Sequence, residues 1–188
     1  MEYDFHLHNI NCRGSKQYAL LSLYVDKNDH ELYQYYKFQC DAHNYAMSIE
    51  MFPNSGFDIF FPESVFFNTP FENRYVDFNV RGEMYIIDIE AQTKIPTGYY
   101  IYPRSSISKT PLMLSNHTGI IDSGYRGNLI GAFRYLSSNP NAAYNVEQYT
   151  RLLQICAPTL CPIFVRLVDA DDFVDTTRGS GGFGSTGI

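Results

Sequence analysis

Hydrophobic positions fall into short runs over most of the chain and take a helical spacing in one stretch. Tyr18-Ala19-Leu20-Leu21-Ser22-Leu23-Tyr24-Val25 is short, apolar and aromatic, the pattern of a buried strand. Asn28 with Glu31 three residues later has the form of a capping box, and Leu32, Tyr35, Tyr36, Gln39, Cys40 and His43 then recur at helical spacing. One helix is expected, within residues 28–50. From Met51 onward the pattern predicts strands at Phe57 to Phe61, Tyr75 to Val80, Met84 to Ala91, Gly98 to Tyr102, Gly119 to Asp122, Asn128 to Tyr135 and Cys161 to Val168. Short strands without helical crossovers imply an all-β sandwich or barrel. Ser137 to Tyr144, rich in Ser, Asn and Pro, reads as an exposed loop.

Composition narrows the function classes. With 188 residues, 45% hydrophobic and 18% charged, the chain has an ordinary globular balance and room for one core. A net charge of −6 argues against a grip on duplex nucleic acid, so any phosphate site has to be local. Met1 to His6 shows neither the basic nor the apolar part of a signal peptide, and no apolar run reaches the length of a membrane span. The chain is read as soluble and intracellular, cytoplasmic with a nuclear place left open, without membrane or nucleic-acid partners. Cys12, Cys40, Cys156 and Cys161 lack CxxC spacing and are expected as free thiols. His6 and His8 would share a strand face, but no third metal ligand follows at suitable spacing.

Beyond Arg178 the text changes character, with five glycines between Gly179 and Gly187 that no helix or strand interior would hold. Two readings compete. Glycine amides, the hydroxyls of Ser185 and Thr186 and the Arg178 fork suit an anion, and Phe183 offers a flat face to a base. A solvated Gly/Ser linker fits the composition better when the segment is read alone.

Four upstream segments reverse that ordering. They are Ser55-Gly56-Phe57-Asp58-Ile59, Pro103-Arg104-Ser105-Ser106-Ile107-Ser108, the run from Gly119 to Gly127 (GIIDSGYRG), and Arg151-Leu152-Leu153-Gln154. With the tail they form five ordered motifs, and the sequence resembles the trimeric dUTPase family over roughly residues 51–188. The resemblance implies an all-β, jelly-roll-like subunit of eight strands with one N-terminal helix, a single domain over residues 1–177 and a flexible arm at 178–188. It also implies hydrolysis of dUTP to dUMP and pyrophosphate with magnesium, in a homotrimer whose active sites are shared.

The site residues follow from the same resemblance. Asp122 matches the aspartate that orients and deprotonates the attacking water, and Tyr125 the tyrosine whose ring packs against deoxyribose and leaves no space for a 2′-hydroxyl. Asn116, with backbone groups around Gly119 and Ile121, is expected to read uracil. Arg104, Ser105 and Ser106 are expected at the α and β phosphates, and Arg178, Ser185 and Thr186 at the γ-phosphate. Phe183 and Gly184 complete the arm as a lid over the base. Gln154 and Asp58 are expected to support phosphate, water and magnesium, Asp58 indirectly.

Departures and rivals are also legible. Ser106 stands where many members have glycine, and Thr150 where an acidic residue often precedes the fourth motif's arginine. The related dCTP deaminases carry a catalytic glutamate in the strand after the third motif, where this chain has Ala132, and an arginine where it has Lys109. Without that carboxylate, deamination has no evident base. A silent regulatory protein that kept the fold is the other alternative, and it would not need the whole motif set. The segment before residue 51 carries no motif and no assigned role.

Overall fold

The computed structural model describes residues 16–139 and 141–181, so Phe183, Gly184, Ser185 and Thr186, like His6, His8 and Cys12, lie outside the described residues. The first half holds β1 (Gln17–Val25), α1 (His30–Ile49), β2 (Gly56–Ile59), β3 (Val65–Phe67), β4 (Asn73–Asp77) and β5 (Val80–Asp88). Then come β6 (Thr93–Thr97), β7 (Tyr99–Pro103), β8 (Leu112–Leu114), β9 (Gly119–Ile121) and β10 (Ile130–Tyr135). The last strands are β11 (Tyr144–Val146), β12 (Leu153–Cys156) and β13 (Ile163–Leu167). They form sheets in the orders β13-β1-β5-β6, β4-β10-β8, β11-β3 and β2-β12-β7-β9. The architecture is all-β and jelly-roll-like with one α-helix among the described residues, and thirteen short strands stand where eight were expected.

β1 is apolar from Tyr18 to Val25 apart from Ser22 because both of its faces are covered. Ala19, Leu21, Leu23 and Val25 join the main core, while Tyr18 and Leu20 join a smaller cluster with Met47, Ile87 and Phe164. The strand lies between β13, which it pairs in parallel, and β5, which it pairs antiparallel. The segment that carried no motif is therefore built into the sheet.

The α1 cap falls one residue later than predicted, at Asp29, whose Oδ1 accepts from the Leu32 amide at 3.2 Å. Asn28 instead turns back, its amide and side chain both donating to Asp26 at 2.9 Å. The inner face of the helix buries Leu32, Tyr36, Cys40 and Met47. Tyr36 is fully buried and its hydroxyl accepts the Phe60 amide at 3.2 Å, a bond that ties α1 to the chain just after β2. Burial pushes the Cys40 thiol up to about 12, which keeps it protonated and inert.

A second row of α1 side chains covers the outer edge of β13. Asn44 donates to the Val165 carbonyl at 2.7 Å and accepts the Val165 amide at 2.9 Å, and His43 Nε2 donates to the Ile163 carbonyl at 2.9 Å. Edge backbone groups left open would invite pairing with another chain, and the helix removes that opening.

Strand boundaries moved where side chains make local turns. The run predicted from Tyr75 to Val80 breaks because Asp77 accepts the Asn79 amide at 2.8 Å and Asn79 adopts φ 55°, which ends β4 and starts β5. β3, β8 and β11 have three residues each, too few to show a period, and Tyr144 belongs to β11 rather than to the preceding loop. β6 escaped notice because it is polar and contains Pro96, which an edge strand tolerates.

The buried edge bond of His43 makes stability depend on pH. Burial lowers its pKa from the ordinary 6.5, although the Ile163 carbonyl pulls the other way. The unfolded chain then binds more protons than the folded one below pH 6.5, so stability falls as pH drops through that value towards the folded pKa, and levels off beneath it. Urea midpoints measured in pH steps should show this decline, with a shallower slope for His43→Gln.

Candidate active site

The chain passes from one sheet to another at Ser115 to Thr118, leaving β8 and entering β9. His117 makes the turn with φ 61°, and its amide donates to the Leu114 carbonyl at 3.1 Å. Asn116 is thereby set in the turn that leads into β9, which is the edge of its sheet beside β7. An edge strand keeps one row of amides and carbonyls outside the ladder, ready for a planar hydrogen-bonding ligand. Gly119 pairs with Ile101 and Ile121 with Tyr99.

β9 ends in a tight turn, closed by the Tyr125 amide donating to the Asp122 carbonyl at 3.0 Å. The Asp122 side chain stays 61% exposed, presented at the turn rather than packed. Tyr125 turns inward, and its hydroxyl donates to the Asn128 carbonyl at 2.8 Å. Burial, with Asp77 nearby, raises its pKa, so the ring stays a neutral wall. Gly127 is required beneath it, since a Cβ there would come within 2.7 Å of the Tyr125 Cζ. Asn116, Gly119, Ile121, Asp122, Tyr125 and Arg178 all line one cavity of about 210 Å³.

The start of the arm lies on the turn that follows β9. The Thr176 hydroxyl donates to the Gly124 carbonyl and accepts the Gly179 amide at 3.1 Å, and the Arg126 amide donates to the Gly179 carbonyl at 2.8 Å. Arg178 thus reaches Asp122, Nη2 to Oδ2 at 3.4 Å. So long and exposed an ion pair is worth little and yields readily to a better anion. The Arg178 Nε is buried with no hydrogen-bond partner among the described residues, a donor still to be satisfied.

A second polar cluster lies across the same sheet. Arg104 pairs with Asp58 at 2.8 Å, Arg151 with the other Asp58 oxygen at 3.4 Å, and Arg104 Nη1 donates to the Arg151 carbonyl at 3.3 Å. Ser106 donates to that carbonyl at 3.0 Å, so its hydroxyl fixes the loop. Ser105 is exposed at the start of a 3₁₀ turn, Ser105–Lys109, whose N-cap is Arg104. Gln154 stands opposite Asp58 in register. Its side chain lies over Gly56, where a Cβ would meet Gln154 Oε1 at 2.6 Å. Burial pushes the Asp58 carboxyl up, against the opposing pull of Arg104 and Arg151.

The sequence-predicted residues therefore fall into two groups. Asn116, Gly119, Ile121, Asp122, Tyr125 and Arg178 come together around β9 and the turn after it, whereas Arg104, Ser105, Ser106, Gln154 and Asp58 gather at β2, β12 and the end of β7, with none of them lining the β9 cavity. The arm residues Phe183 to Thr186 lie outside the described residues. Sequence reasoning passed over Arg126, Asn128 and Arg151, whose contacts hold the turn, the tyrosine and Asp58. The only signal for Arg126 was its position as the one basic residue of the third motif.

Comparison with known proteins agrees with the motif pattern. A model of the dUTPase family matches residues 53–187. The deoxyuridine 5'-triphosphate nucleotidohydrolase of Escherichia phage T5 is 36% identical over 110 residues, which are 56% of this chain and 70% of that protein. Its namesake in Cutibacterium acnes is 32% identical over 111 residues, 57% of this chain and 70% of that protein. That of Yarrowia lipolytica is 33% identical over 120 residues, 62% of this chain and 71% of that protein. The family match begins after α1, so β1 and the helix lie outside it.

Gly127→Ala should overpack the turn and displace the Tyr125 ring. A loss of about 1–3 kcal/mol in unfolding free energy is expected from denaturant titration.

Proposed function

The chain belongs to the dUTPase family, and on that premise we propose that it hydrolyses dUTP to dUMP and pyrophosphate with the two polar groups just described. The observation that carries this reading is the single cavity where Asp122 stands exposed beside the Tyr125 wall, Asn116 and the edge of β9. Asp122 takes the proton of a water as the water oxygen bonds the α-phosphorus, and the bond from that phosphorus to the α,β-bridging oxygen breaks with release of pyrophosphate. Tyr125 closes the space beside C2′ of the sugar. Asn116 and the backbone at Gly119 and Ile121 read the base edge. Arg178 exchanges its weak contact with Asp122 for phosphate oxygens, which frees the carboxylate when substrate arrives.

Arg104 and Ser105 are proposed to hold the α and β phosphates, with Asp58 aiming the Arg104 fork, Ser106 bracing the loop and Gln154 supporting from β12. Fixed donors of this kind stabilise charge that shifts during phosphoryl transfer. Phe183 and Gly184 are proposed to serve the base, and Ser185 and Thr186 the γ-phosphate.

Among the described residues no group of three or more His, Cys, Asp or Glu side chains is placed to hold a metal ion. Asp58 is occupied by two arginines, which leaves Asp122, held only by its long contact with Arg178, as the more available carboxylate of the site. That donor set fits magnesium carried in on the triphosphate oxygens rather than in a protein cage. When bound, the ion neutralises phosphate charge and makes nearby water more acidic.

Two features support a homotrimer with shared sites. The β9 cavity is small beside the roughly 300–1,000 Å³ of drug-sized pockets, enough for a nucleoside end but not for a triphosphate. The phosphate cluster lies across β7 from it, so a neighbouring subunit's Arg104 cluster is the natural complement. Ala132, where a deaminase carries its glutamate, is buried in β10.

Pyrophosphate release should be fast with dUTP and slow with dCTP, dTTP and UTP, and Asp122→Asn should lose about 10²-fold or more in kcat. Equal turnover of all four nucleotides sinks the assignment, and ammonia release from dCTP points to deamination. Deletion of residues 178–188 should remove most turnover while the oligomer, followed by light scattering, stays intact. Normal hydrolysis by the truncated chain would make the tail a linker.

A further inference from the structure

Tyr149 stands two residues before Arg151 with φ 61°, in the left-handed region that favours glycine. Its amide donates to the Phe61 carbonyl at 2.8 Å, while the Phe61 amide donates to the Thr150 carbonyl at 3.2 Å. Two residues thus oppose one, just beyond the Ile59–Leu153 pair of β2 and β12, which is the pattern of a G1 bulge with tyrosine at its glycine position. The second motif hangs from this bulge. The Arg151 carbonyl accepts Arg104 Nη1 at 3.3 Å and the Ser106 hydroxyl at 3.0 Å, and the Leu152 carbonyl accepts the Arg104 amide at 2.8 Å.

The support for a tyrosine in that conformation comes from α1. The Tyr35 ring stacks on the Tyr149 ring, with centroids 4.1 Å apart and planes 9° from parallel, and meets Phe60 edge-on at 4.9 Å. Two further α1 side chains hold the opposite strand on either side of Asp58. The Tyr36 hydroxyl accepts the Phe60 amide, and the His43 ring packs edge-on against Phe57 at 5.2 Å. The family match begins at residue 53, so all of this support lies outside it.

We propose that Tyr35 is a positioning residue for the phosphate end of the site: by stacking on Tyr149 it holds the bulge from which Arg104 and Ser106 hang. The catalytic consequence rests on the dUTPase reading, and the structural one does not. Tyr35 acts through Tyr149 and the Arg151 backbone without touching substrate. Its ring carries the effect and its hydroxyl does not, so Tyr35→Phe keeps the stack and Tyr35→Leu loses it.

Amide hydrogen exchange on the free protein tests the structural claim. In Tyr35→Leu the amides of Phe61, Arg104, Tyr149 and Thr150 should speed up about tenfold more than those of β1 and β5, the fold-change that the stronger aromatic pairs supply. Equal acceleration everywhere, or none at the bulge, overturns the proposal. Steady-state dUTP hydrolysis tests the catalytic part. Tyr35→Leu should lose about tenfold or more in kcat/KM, as misplacement of a phosphate donor does, and Tyr35→Phe should keep the wild-type value. Met47→Ala, at the far end of α1, controls for stability alone, and an equal loss there overturns the positioning role. In a Tyr149→Gly background, where glycine takes the turn without a stack, Tyr35→Leu should change kcat/KM by no more than about twofold, and additive losses defeat the proposal. Should Tyr35→Leu fail to fold, Tyr149→Leu breaks the same stack from the strand side with α1 whole, and wild-type kcat/KM in that variant is equally fatal. A wild-type protein without dUTP turnover defeats the dUTPase reading and leaves the exchange result standing.

Discussion

A carboxylate buried as deeply as Glu83 has to be paired, and the pair it forms with Arg126 fixes the geometry from which the site is built. Stripping one partner from such a pair leaves an uncompensated charge at a cost of about 3–5 kcal/mol. The dependence runs in one direction. β1 and β13 complete the sheet that buries Glu83, Glu83 places Arg126, and Arg126 pins the carbonyls of Ser123 and Tyr125 on either side of the turn. Asp122 and Tyr125 then face the cavity from a turn that is tied to the core rather than loose on the surface.

The phosphate side is organised by a different balance. The chain carries a net charge of −6, so attraction for a polyanion depends on a few placed cations. Arg104 and Arg151 are held by one half-buried aspartate, which limits their motion without cancelling both charges. Two guanidinium groups around one carboxylate leave a local excess of one positive charge and several unspent donors. Preorganisation of that kind presents donors already aimed at an anion.

Much of this was readable from the residues, and the failures have physical causes. The buried strand at Tyr18 to Val25, the helix and the gathering of Asn116, Asp122 and Tyr125 at one cavity were legible because each rests on local spacing or on a motif. Asn28 was mistaken for the cap because two capping residues stand side by side, and which one turns back depends on Asp26. Three-residue strands such as β8 have no period to read, and their pairing is decided by partners far away in sequence. The division of the site between the two sides of β7 was invisible in the order of the motifs, since it depends on sheet order. Arg126 was hidden because its partner Glu83 belongs to a segment without a motif.

The parallel pairing of β1 with β13 joins positions such as Ser22 and Arg166, separated by 144 residues. During synthesis β1 can pair with β5 early, but its other edge waits until β13 has emerged from the ribosome. Closing a loop of that length is slow, and an open apolar edge is exposed to other chains while it waits. β1, interior in the finished sheet, is thus an open edge for most of synthesis.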